Sequence, residues 1–107
     1  MFTRIVELTT KPGKNKQLSE AINDKVLPIL KKQKGFVDET VLISDKDDNR
    51  VLGLSFWNTK EDAEQYHRAD YSKVQETLRP FLDAEPVIRT FDIHTSTTHR
   101  IAAGKAA

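Results

Sequence analysis

The apolar residues of this chain follow two different spacings in turn, and the order of those spacings constrains the fold more than any other feature. "MFTRIVEL" is short, rich in β-branched and aromatic side chains, and stops at "TTKPGK", a Pro-Gly turn. Beyond Lys14, Leu18, Ile22, Val26, Ile29 and Leu30 recur at steps of three and four residues, the stripe of an amphipathic helix. Pro28 lies inside the stripe, where it removes one backbone donor and presses on the carbonyl of Asp24. Because the stripe continues past it, a bend is expected there rather than an end. "KKQK" followed by Gly35 supplies basic residues in the last turn and a glycine just beyond, a helix stop.

"FVDETVLIS" and "RVLGLSFW" then flank "DKDDN", a polar cluster suited to joining antiparallel strands. Thr59 reads as an N-cap with Asp62 completing a variant capping box. The helix that follows carries Val74, Leu78, Phe81 and Leu82 on one face, with an interruption expected near Asp70 and Pro80 close to its end. "PVIRTFDIHT" is the last strand, and "RIAAGKAA" has no partner signal and is expected to be loose at its end. The order β-α-β-β-α-β predicts a ferredoxin-like α+β domain over residues 1–96 and a tail over 97–107. It makes a four-stranded antiparallel sheet with two helices on one face. Strand 2 nevertheless carries apolar residues on both parities, and strand 3 sets Leu52, Leu54 and Phe56 against Val51 and Trp57. One helical layer cannot cover both faces, so a second sheet from an identical chain is expected to bury the other, giving a homodimer.

The remaining composition narrows the function classes. At 107 residues there is room for one core. A net charge of +1, with lysines interleaved by acids, leaves no electrostatic footprint for nucleic acid or an anionic membrane. The absence of cysteine removes disulfides, thiolate catalysis and cysteine-ligated metals. No phosphate-cradling glycine loop is present, since the glycines stand far apart. "MFTRIVELTT" has no long apolar run of a leader or membrane span, so a cytoplasmic protein is expected.

Several stretches, in order, carry a resemblance: "KPGK" after strand 1, "KGFVDETVL" after the first helix, "FWNTKEDAEQYHRAD", "LRPFLDAEPV" and "PVIRTFDI". Through nearly its whole length the chain resembles the antibiotic-biosynthesis monooxygenase family of small dimeric α+β barrel proteins. The resemblance implies two subunits pairing their sheets into a barrel, with a pocket in each between sheet and helices. Several members oxidise phenolic or hydroquinone-like aromatics with molecular oxygen and no bound cofactor; others degrade haem. The haem-degrading relatives use an asparagine in strand 1, a tryptophan in the second helix and a histidine farther along. The corresponding places here hold Ile5, Tyr66 and Glu76, which argues against that chemistry.

Five positions besides His67 complete the candidate site. Ala63, Tyr66 and His67 share a helix face by spacing, so a Tyr-His pair can face the sheet beside a small residue. A neutral His67 beside a phenol takes its proton and leaves a phenolate that reacts with oxygen. The bland alternative is a half-buried histidine bonded to a backbone carbonyl. Trp57 is either a flat pocket wall with one donor or core packing, and Tyr66 and Tyr71 either donate to a substrate oxygen or reach water. Arg4 and Arg89 each have apolar neighbours two residues away on their strands. If strands 1 and 4 adjoin, both point into one interior and hold an anionic substrate; ion pairing with Glu7 or Asp92 is the competing reading. Glu64-x-x-His67 has the spacing of a di-iron motif, but no second copy appears, so neither metal nor other cofactor is expected. His94 and His99 are expected to be solvated. The expected function is a homodimeric, cofactor-independent monooxygenase acting on a small phenolic or quinol-type aromatic. The alternative is a binding or isomerising protein on the same scaffold without oxygenase activity.

Overall fold

A computed structural model describes residues 1–102 and has the expected element order. Strands β1 (Phe2–Thr9), β2 (Phe36–Ile43), β3 (Arg50–Trp57) and β4 (Val87–Asp92) form one antiparallel sheet in the order β2-β3-β1-β4. The first connection runs as α1 (Asn15–Ala21), a π-helical turn (Ile22–Val26) and α2 (Leu27–Lys31). The second runs as α3 (Lys60–Ala69), α4 (Tyr71–Leu78) and a 3₁₀ turn (Arg79–Phe81). Both pack on the same face of the sheet, the ferredoxin-like arrangement.

Local chemistry explains each break. The N–H of Leu27 bonds the carbonyl of Ile22, five residues back, and this widened turn lets the helix run on through Pro28, whose missing donor would otherwise open it. Thr59 caps α3, its Oγ1 accepting the N–H of Asp62 at 3.1 Å. Asp70, at φ −133°, ends α3 and starts α4, and its carboxylate is held by Gln33 at 2.7 Å and Lys73 at 3.2 Å. Gly35 closes the first connection at φ +80°, and a Cβ there would collide with the Asp62 carboxylate, so glycine is required twice over.

The core lies between sheet and helices. Phe2, Leu8, Val51 and Trp57 from the strands meet Leu18, Ile22, Val26, Leu30, Val74 and Leu78 from the helices, all buried. Burying each large aliphatic of this set contributes about 1.5–3 kcal/mol. In β2 the alternation slips once: Phe36 pairs with Trp57 and Asp38 with Phe56, leaving Val37 as the extra residue of a bulge. Even-numbered Phe36 and odd-numbered Glu39, Val41 and Ile43 therefore share the helix-covered side.

Among the described residues no helix covers the opposite face. Leu42, Val87 and Phe91 on it remain 46%, 47% and 51% exposed, a large apolar surface for a small chain. One end is covered by the segment after β4, where Ser96 and Ile101 pair in a turn. His99 there packs its ring on Phe56 (centroids 4.8 Å apart), and its Nε2 lies 3.0 Å from Asp38 Oδ2. The expectation of a solvated His99 is thus corrected: its side chain is only 12% exposed, because Phe56 offers an apolar shelf and Asp38 a charged partner. His94 is exposed as expected. The last five residues of the expected tail, 103–107, lie outside the described residues. Among the described residues no helix is long and apolar enough to cross a membrane.

Candidate active site

β1 is a central strand whose even-numbered side chains face the helices, which puts Arg4 in the interior between Phe2 and Val6. Across the sheet, Arg4 is level with Ser55 of β3 and Thr90 of β4, and Ser55 is level with Glu39 of β2. A polar row, Glu39–Ser55–Arg4–Thr90, thus crosses an otherwise apolar surface. The next rung, Val41–Gly53–Val6–Ile88, has a gap in it. Gly53 carries no side chain, and a Cβ built there would meet nothing within 4 Å. Above that gap lies a hollow of about 570 Å³, counting its open mouth, roofed by Ile22, Val26, Leu30, Val74 and Leu78 and walled by Tyr66 and Tyr71.

Arg4 is the dominant charge of this space. It is only 4% exposed, and its guanidinium lies 5.3 Å from the Tyr66 ring centroid and 4.9 Å from that of Tyr71. Nη1 lies 3.0 Å from Nδ1 of His67, whereas Nε and Nη2 are buried without any partner among the described residues. Burial lowers the arginine's pKa and the two tyrosines oppose that, but a guanidinium stays protonated in proteins. Burial pushes both phenols up, Tyr66 the more strongly, with Arg4 pulling each back.

His67 sits at the rim. One residue on from buried Tyr66, it turns away from the hollow into a shallow outer cleft that it shares with Arg4, Lys60, Arg68 and Thr90. Its ring stacks on Tyr71, centroids 5.0 Å apart and planes at 19°. A guanidinium can only donate, so Nδ1 of His67 accepts and the imidazole proton lies on Nε2. Partial burial, then Arg4, holds its pKa below the usual imidazole value. Arg4 therefore joins the inner hollow to the outer cleft, with His67 on the outer side.

The helix thus brings Tyr66 and His67 to neighbouring positions, but only Tyr66 faces the sheet. Arg4, Tyr66, Tyr71 and His67 lie in contact with one another. Of the two readings of Trp57, core packing is the one the structure has: the residue backs the hollow and does not line it as a substrate-contacting wall. It is wholly buried, stacked behind Tyr66 at 5.2 Å and 24° and edge-on to Phe36 at 5.7 Å, and its Nε1–H donates to Ser55 Oγ at 2.9 Å. The expectation that Arg89 shares the interior with Arg4 is overturned by the register. Arg89 pairs with Ile5, not with Arg4, so it emerges on the helix-free face, 63% exposed and 3.8 Å from Glu7. Glu7 also pairs with Arg50.

Two residues that line the hollow escaped the sequence reading. Glu39 lines the hollow with one carboxylate oxygen, Oε2, buried and without a partner among the described residues, and burial raises its pKa against the pull of Lys31. The available signal was a charged residue on the apolar parity of β2, between Val37 and Val41. Gly53 was visible only as a strand glycine, which itself marks an open approach. Among the described residues no group of three or more histidine, aspartate or glutamate side chains converges as a metal site requires.

The comparisons with known proteins agree with this architecture. The family model described as antibiotic biosynthesis monooxygenase matches residues 1–77. Among curated proteins nothing matches the sequence. Solved structures align over most of both chains. A monooxygenase from the ActVA-Orf6 gene of Streptomyces coelicolor, in complex with nanaomycin D, aligns with a TM-score of 0.77 at 20% identity, over 89% of this chain and 88% of that one. SnoaB, a cofactor-independent oxygenase from Streptomyces nogalater, aligns with a TM-score of 0.74 at 15% identity, over 90% and 95%. A conserved protein from Methanosarcina mazei Go1 aligns with a TM-score of 0.69 at 22% identity, over 85% and 91%. At such identities these likenesses speak to the fold, while the family-model match spans well over half of the sequence. The chain belongs to the antibiotic biosynthesis monooxygenase family.

Proposed function

We propose that this protein is a homodimeric, cofactor-independent monooxygenase that oxidises a small phenolic or quinol-type aromatic with molecular oxygen. The observation that carries the reading is Arg4, a nearly buried cation with two unpartnered nitrogens at the edge of an apolar, tyrosine-walled hollow. An unmade hydrogen bond in such a place costs about 1–3 kcal/mol, more for a charged group, and an aromatic ligand with an acidic oxygen supplies it. Family membership supports the oxygenase class, and SnoaB is described as a cofactor-independent oxygenase.

The ring lies over Gly53 against the aliphatic roof, with its phenolic oxygen at Arg4, where hollow and outer cleft meet. As the guanidinium turns to the forming oxyanion, it gives up Nδ1 of His67, and that nitrogen takes the phenolic proton. The phenolate then transfers electrons to dioxygen. One oxygen atom enters the ring, the other leaves as water, and a phenol becomes a quinone, so the ring supplies all the electrons that dioxygen takes up. Tyr66 and Tyr71 wall the site and exclude water. The apolar helix-free face, with Leu42, Val87 and Phe91 exposed, supports pairing with a second copy.

Oxygen consumption with a panel of phenols and hydroquinones tests the reading. Turnover with stoichiometric oxygen uptake is expected, falling about 10²–10⁴-fold in His67→Ala. Conversion without oxygen uptake overturns it in favour of an isomerising protein, and binding without conversion in favour of a carrier.

A further inference from the structure

Glu39 plays no part in that scheme, although its position is unusual. It stands in the same transverse row as Arg4, two strands away with Ser55 between, so the two Cα atoms are separated by about 10 Å at the usual strand spacing. Both side chains line one hollow, and their charges are opposite. They form no ion pair with each other, and each keeps buried atoms unpartnered: Nε and Nη2 on the arginine, Oε2 on the glutamate. Ser55 does not bridge them; its Oγ accepts the Trp57 indole N–H. Both polar ends of the hollow are therefore unfilled, with the apolar gap over Gly53 beside the row.

We propose that Glu39 is a specificity-determining residue that anchors the far end of the ligand, selecting planar aromatics with a hydroxyl across the molecule from the acidic oxygen held by Arg4. A carboxyl suits this position because it serves either state of such a ring. Ionised, it accepts from the hydroxyl; protonated, it donates to the carbonyl that replaces the hydroxyl when the ring is oxidised to a quinone. A monophenol fills the Arg4 end only and leaves Oε2 unpartnered. This inference rests on the hollow being the aromatic site described above.

Anaerobic calorimetry with 1,4-dihydroxynaphthalene and 1-naphthol tests it without requiring turnover. The wild-type protein is expected to bind the diol about tenfold to a hundredfold more tightly, the worth of one hydrogen bond to a charged group. Glu39→Leu keeps the volume, removes the unpartnered oxygen, and is expected to bind the two ligands equally. Glu39→Gln provides the check if the leucine variant does not fold, and is expected to retain only part of the preference. Equal affinity of the wild-type protein for both ligands overturns the role of Glu39 and leaves the aromatic site standing. A preference that survives in Glu39→Leu or in full in Glu39→Gln does the same. Failure of both ligands to bind the wild-type protein overturns the site itself, and this inference with it.

Discussion

Arg4 reaches His67 across 3.0 Å, Nη1 to Nδ1, and so decides which imidazole nitrogen carries the proton. The contact joins a central strand to the rim of a helix, and it puts the cationic and basic groups of the proposed reaction in direct competition for one another. In the proposed reaction, a ligand oxygen that draws Nη1 towards itself releases the histidine.

This relationship has a measurable signature. Partial burial and the Arg4 charge lower the His67 pKa, so its titration by nuclear magnetic resonance is expected below about 6.5, with the proton on Nε2 in the neutral form. In Arg4→Met the midpoint is expected to rise towards the ordinary value. The sign for stability follows from linkage. The unfolded chain takes up this proton first as pH falls past about 6.5, so the contact's contribution is present above that value and lost as pH falls through the lower folded pKa.

Gly53→Val tests whether the hollow depends on a missing side chain. The backbone there is ordinary strand and the added Cβ meets nothing, so folding stability is expected to hold within about 1 kcal/mol or to rise. Ligand binding by calorimetry is expected to fall at least about tenfold, since the added methyl groups occupy the floor. Unchanged affinity would place the ligand elsewhere.

Ser55→Ala addresses the backing of the site. It strips the acceptor from the buried Trp57 indole N–H, and the expected loss in a denaturant titration is about 1–3 kcal/mol. A loss near zero would mean that the indole N–H finds another partner.

The bare face of the sheet is tested by charge. Val87→Lys and Phe91→Glu place ions on exposed apolar positions with no partner in their own core, so the folded protomer should survive. Sedimentation is expected to show a dimer in the wild type and a monomer in the double variant. A wild-type protein that stays monomeric at micromolar concentration excludes the paired-sheet assembly.

Most of the fold was legible because each element carries its own local signal. The Pro-Gly turn, the Thr59 cap, the stop at Gly35 and the break at Asp70 depend on neighbouring residues, and all stand where the residues placed them. The site was legible only in part, because it depends on register, which no single strand contains. Arg4 and Arg89 have the same apolar neighbours in sequence, yet the β1–β4 pairing sets Arg89 beside Ile5 and so on the other face. In β2 the extra residue Val37 brings Phe36 and Glu39 to one side, although they differ in parity. Tyr66 and His67 were read as one face, but adjacent helical positions diverge by about a quarter turn, enough to bury one and leave the other at the rim.

Trp57 is the only tryptophan of the chain, and its ring lies flat against Tyr66, which borders the hollow. The molecule thus carries a built-in optical reporter that excitation at the red edge of the indole band singles out from the two tyrosines. A ring settling over Gly53 and quenching that single indole would announce its arrival through the fluorescence of the unlabelled protein.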